Sequence, residues 1–150
     1  MRSLSLGTRA LSCCFLALGL AGCASVRLVS DYDEQMDRSV TAFQIKTEAF
    51  VSALERASDK PEAKYEANMR FYEDARVDLS SMRVRAAALP DDTVLKQVDA
   101  LKKSLESLEA LHKLGINREL IPPLRDAVNA SCTAILKYEL ARKRGAAKSG

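Results

Sequence analysis

The chain has 150 residues, with 23 Lys and Arg, 20 Asp and Glu and a single His. This length sets a prior of one domain, and 47% hydrophobic with 29% charged residues is the balance of a globular chain, not a disordered one. Arg2 and Arg9 fall within the first 22 residues, so the remainder carries 21 basic against 20 acidic side chains and has no electrostatic footprint for nucleic acid.

Residues 1–22 follow the plan of an export signal. Arg2 and Arg9 give a positive start without any acid, and Ala10–Leu20 is a short apolar run. Eleven residues are too few for about 30 Å of hydrocarbon, which needs roughly 20. Then comes Leu20-Ala21-Gly22-Cys23. All four positions resemble the lipobox of bacterial lipoproteins: Leu, a small residue, Gly or Ala, then Cys. The resemblance covers the first two dozen residues. It implies that the Cys23 thiol receives a diacylglycerol, that the signal is removed before it, and that the new amino group is acylated. Two or more acyl chains make a firm membrane anchor where one binds only marginally. In double-membraned bacteria an Asp after the cysteine favours the inner membrane. Ala24 and Ser25 stand there instead, which implies the periplasmic face of the outer membrane. The alternative is an ordinary secreted protein cleaved after Ala24.

Residues 23–30 hold the lipidated position and a short tether. The seven residues Ala24–Ser30 reach at most about 25 Å, so a domain over residues 31–144 is expected close to the lipid surface. Four helices are expected there. The first spans about 31–57, capped by Ser30 or Asp31, with Met36, Val40, Phe43, Phe50 and Leu54 at helical spacing and Thr47 as a weak step. The turn Ser58-Asp59-Lys60-Pro61 leads to a second helix over about 61–89. There Tyr65, Tyr72, Leu79 and Ala86 recur every seven residues, with Ala75, Met82 and Leu89 between them, and Pro90 ends the helix. The third starts at Asp91 or Asp92 and runs to Leu114 on the stripe Val94, Val98, Leu101, Leu105, Leu108, Leu111, and Gly115 suits the left-handed residue past its end. The fourth opens at Ile121-Pro122-Pro123 and runs to about Arg144, with Leu124, Val128, Ile135 and Tyr138 on its face and Leu136 and Leu140 widening it. Residues 145–150 read as a disordered tail. Short connections make neighbouring helices antiparallel. The expected fold is therefore all-α, an antiparallel up-down four-helix bundle, with a coiled-coil oligomer as the other architecture that heptad stripes permit.

The chemistry-bearing residues are few. Glu109-Ala110-Leu111-His112 matches one Glu-x-x-His pair of di-iron bundles, but such sites need two pairs and the chain has one His. A partly buried histidine near a helix end is the simpler expectation. No nucleophile elbow or Gly-rich phosphate loop accompanies it, and no catalytic residue, metal or cofactor is implied. The pairs Asp31/Asp33/Glu34, Glu73/Asp74 and Asp91/Asp92 read as caps or solvated faces. Asn129-Ala130-Ser131, on a predicted helix, carries no meaning as a glycosylation acceptor. If, as the resemblance implies, Cys13 and Cys14 leave with the signal and Cys23 is lipidated, Cys132 is left without an intramolecular partner. It falls near Val128 and Ile135, where a buried inert thiol is the plain expectation and an intermolecular disulfide the sharper one. Arg142, Lys143, Arg144 and Lys148 make a basic end that suits a helix C-terminus or the phosphates of anionic lipids.

One further feature is a second stripe on the second helix. Val77, Ser81, Val84 and Ala88 share a face roughly opposite Tyr72 and Leu79. Either this helix lies centrally with both faces covered by its own chain, or the stripe is a partner or dimer surface. The expected function is a membrane-anchored envelope lipoprotein acting as a structural or protein-interaction module. The alternative is a periplasmic binding protein for a lipid or hydrophobic ligand held between helices. The mature region resembles the uncharacterised small helical lipoproteins of bacterial envelopes, a likeness that implies no mechanism.

Overall fold

The computed structural model describes residues 32–58 and 60–148, without the side chains of 147 and 148. The expected signal peptide, Cys23, the tether and residues 149–150 lie outside the described residues. Four helices carry the fold: α1 (Glu34–Arg56), α2 (Met69–Ala87), α3 (Thr93–Lys113) and α4 (Ile121–Lys148). The buried positions show why they pack. On α1 they are Met36, Val40, Phe43, Thr47, Phe50 and Leu54, spaced alternately four and three apart, with Val51 beside them. Tyr72, Ala75, Leu79, Met82 and Ala86 repeat the pattern on α2, and Val94, Val98, Leu101, Leu105, Leu108 and His112 on α3. Spacings of three and four keep one face of each helix toward its neighbours. The apolar side chains form one continuous core.

Cross-helix bonds fix the directions. Arg85 near the end of α2 reaches Asp33 just before α1, while Lys46 and Asp78 meet at mid-helix. Asp33 also meets Glu139 late on α4, and Arg125 early on α4 meets Glu55 late on α1. Arg83 pairs with Asp99 and Arg76 with Glu109 across α2 and α3, while Ser104 with Ser131 and Asp91 with Tyr138 tie α3 to α4. Every adjacent pair is antiparallel. The chain closes an up-down four-helix bundle on itself, so its heptad stripes pair within one molecule and no second chain is needed to cover them.

Several boundaries differ from expectation. The cap of α1 is Asp33, whose carboxylate accepts from the N–H groups of Gln35 and Met36; Ser30 and Asp31 lie outside the described residues. The second helix begins eight residues later than its heptads suggest. Pro61–Ala63 and Tyr65–Asn68 are two short 3₁₀ turns, separated by Lys64 in an extended conformation. The Asn68 side chain donates to the carbonyls of Glu62 and Lys64, a local alternative to helix that holds this strap in its bent shape. Tyr65 therefore sits on the strap and not on the α2 seam. Gly115, at φ +90°, turns the chain after α3 as expected, its N–H bonded to the His112 carbonyl. α4 continues through Gly145 to Lys148, past the expected end at Arg144. Leu140 is largely exposed and Leu111 only half-buried, because Glu139, Arg142, Glu109 and His112 take the inward positions instead.

Candidate functional site

The stripe on α2 is uncovered. Val77 is 68% and Val84 71% exposed, and Ser81 and Ala88 are exposed beside them. At 100° per residue these four positions fall on the side of the helix roughly opposite Tyr72 and Leu79, which are buried. Among the described residues nothing packs over this face, so the other three helices leave one side of α2 open. Arg70, Glu73 and Asp74 are exposed at the start of the same helix. Glu73, Asp74 and Asp92 face solvent as expected, while Asp33 and Asp91 are half-buried cap residues.

Two polar clusters, neither expected as such, close the ends of the bundle. At the end formed by the strap and the C-terminus of α3, His112 is buried with both ring nitrogens engaged. Nε2 lies 2.7 Å from the Ala63 carbonyl and Nδ1 lies 2.8 Å from the Tyr72 hydroxyl. A carbonyl only accepts, so Nε2 carries the hydrogen, and in the neutral ring Nδ1 accepts from Tyr72. Burial, and after it the charge of Glu109, hold the Tyr72 hydroxyl well above the ordinary phenol range. Beside them Glu109 accepts from the Tyr65 hydroxyl at 2.9 Å, Arg76 Nη1 at 2.7 Å and Lys113 Nζ at 2.9 Å. Burial by itself would raise this carboxyl. The hydrogen bonds from Lys113, Tyr65 and Arg76 outweigh it, and the group titrates below its ordinary value. Phe50 stacks on Phe71 at 3.7 Å, and Tyr72 meets both edge-on. A cleft of about 380 Å³ opens over this cluster, with His112 and Tyr65 in its wall and Lys60, Lys64 and Lys113 at its rim.

At the opposite end, Glu139 is fully buried on α4. It accepts from the Asp33 N–H at 3.0 Å and from Arg142 Nη1 at 2.5 Å. Burial pushes its carboxyl up, opposed by the Asp33 N–H and the Arg142 charge. Asp33 then takes Arg85. Arg142 is thus a buried partner within the bundle, a correction to its expected place in an exposed basic end. Lys143 lies over the Tyr32 ring at 4.8 Å, and Lys143 and Arg144 are exposed. Cys132 is buried, its thiol pushed up to about 12 by that burial.

The sequence held a signal for these clusters. Val128, Cys132, Ile135, Glu139 and Arg142 continue one alternation of four and three, and the buried set includes all five. The alternation predicts inward positions whatever their polarity. Chemically, His112 has no free nitrogen to accept a substrate proton, and Glu109 is occupied by three donors. Among the described residues, no group of three or more His, Cys, Asp or Glu is placed to hold a metal ion, and no helix is long and apolar enough to cross a membrane. The chain matches no protein-family model, no curated protein and no solved structure.

Proposed function

We propose that the protein is a lipid-anchored envelope protein, held by acyl chains on Cys23 at the periplasmic face of the outer membrane, whose bundle serves as a structural or protein-interaction module. The anchor is read from Leu20-Ala21-Gly22-Cys23. The interaction role rests on one observation, the exposure of Val77 and Val84 on the side of α2 turned away from the core. Each lies in open solvent on a helix that has already buried its apolar seam, and Ser81 and Ala88 between and beyond them are small enough to admit another backbone. A helix of a partner protein, or of a second copy, is the kind of element such a face accepts. The hydrophobic-ligand reading has less behind it, a cleft of about 170 Å³ between α2 and α3 with Leu79, Val98 and Leu105 in its wall, small for a lipid.

Two experiments test this reading. Cys23→Ser is expected to move the protein from the membrane to the soluble fraction; retention on membranes refutes the anchor. Photo-crosslinking from Val84 in the lipidated protein within its own envelope is expected to give a discrete adduct, with Leu105 as a buried control that gives none. Absence of an adduct at Val84 refutes the docking face. Mass spectrometry of the adduct separates a partner from self-association.

A further inference from the structure

The bundle has one end at which the chain from Cys23 arrives, and there the helices do not stop together. Asp33 meets Glu139 and Arg85, and Asp91 meets Tyr138. α1, the end of α2 and the start of α3 are therefore level with residues 138–142 of α4. Of the four helices, α4 alone runs on beyond that level, by the six residues from Lys143 to Lys148, or about 9 Å. After Glu139 the sequence holds Arg142, Lys143, Arg144 and Lys148 and no acidic residue. Arg142 is committed to Glu139, so the projection exposes Lys143 and Arg144, and the sequence adds a third cation, Lys148, to the same helix. Among the described residues the acids of this end are engaged. Glu34 pairs with Arg38, Asp92 with Lys96, Asp37 accepts from Tyr32, and Asp91 accepts from Tyr138 and the Thr93 N–H.

Tyr32, the first described residue, lies beside Lys143. Eight residues of chain lie between it and Cys23, nine steps that reach at most about 32 Å when extended. The anchored lipid and the basic projection thus leave the bundle from the same end, within reach of one surface. We propose that the projecting end of α4 seats on the anionic phospholipid headgroups of the leaflet that holds the lipid on Cys23, and so stands the bundle on its end with the His112 cleft directed away from the membrane. This rests on the reading of Cys23 as the anchor. Each cation near an anionic leaflet favours contact roughly fivefold, so three favour it on the order of 100-fold at low salt.

The test uses the lipidated protein with an environment-sensitive fluorophore on Ala146→Cys, and a second preparation labelled at Ser107→Cys on the exposed side of α3 toward the other end. Cys132 is buried and escapes labelling. Vesicles are phosphatidylcholine alone or with about 30% phosphatidylglycerol, and carry a headgroup-attached quencher. Flotation reads the anchor and quenching reads the seat. Quenching at Ala146 is expected in anionic vesicles and lost in neutral ones, in 0.5 M NaCl, and in K143E/R144E/K148E, while flotation persists throughout and Ser107 stays unquenched. Equal quenching in both vesicle types, quenching that survives the triple variant, or equal quenching at Ser107 overturns the proposal with the anchor intact. Failure of the unsubstituted protein to float overturns the anchor, and the proposal with it.

Discussion

Tyr72→Phe isolates one hydrogen bond in the bundle. The substitution keeps the ring against Phe50 and Phe71 and removes only the hydroxyl that donates to His112 Nδ1. Both residues are buried, so water does not replace the lost donor. The net loss of the bond is roughly 1 kcal/mol, and leaving Nδ1 buried without a donor adds about 1 kcal/mol or more, giving about 2 kcal/mol in all. For a domain of this size that is a fall in Tm of about 8 °C. Chemical denaturation and calorimetry on Tyr72→Phe, His112→Leu and the double variant measure it. The cycle is expected to show coupling of at least about 1 kcal/mol, because the second substitution removes a group already stranded by the first. A cost below about 0.5 kcal/mol for Tyr72→Phe, or sites that act additively, refutes the assignment of the imidazole tautomer and its role in holding the strap.

Glu109→Gln is expected to cost about 1–2 kcal/mol at pH 7, a figure discounted because Arg76 and Lys113 are half exposed. Since the folded carboxyl titrates below its ordinary 4.5, its contribution is complete above that pH and is lost as pH falls through the lowered value. The gap between the two proteins in urea titrations should therefore close in acid; a gap that is constant with pH rules out the charge as its source. Leu105→Ala empties a fully buried site and is expected to cost about 2–5 kcal/mol, whereas Val84→Ala should stay within about 0.5 kcal/mol. Equal costs in thermal melts would contradict the burial pattern. Cys132, buried with its thiol pushed up to about 12, should resist thiol reagents until denaturant unfolds the bundle, and fast labelling of the folded protein would show that α4 opens locally.

The sequence and the structure part company at informative places. Apolar residues spaced three and four apart located the four helices, because that spacing directly reports which face is buried. The same spacing runs on to Glu139 and Arg142, which are buried where an apolar reading of the face selects Leu136 and Leu140. The two residues are inward because each satisfies the other and Glu139 also takes the Asp33 N–H, a long-range partner that local periodicity does not display. The strap departs from its heptad for the converse reason. Tyr65 fits the heptad, but its hydroxyl is drawn to Glu109, 44 residues away, while Asn68 satisfies local carbonyls. The stripe of Val77 and Val84 was visible as a face, yet only packing decides whether a face is covered.

The placement of the two polar clusters also governs alignment. Apolar heptads are nearly interchangeable, so a bundle built from them alone tolerates sliding one helix along its neighbour by seven residues, about 10.5 Å. Here such a slide of α4 would carry Glu139 and Arg142 to the level now held by Cys132 and Ile135, inside the apolar core, and strip the Asp33 N–H of its acceptor. A matching shift between α2 and α3 would part Glu109 from Arg76 and His112 from Tyr72. With one such lock at each end, the four helices have a single register in which every buried charge is answered.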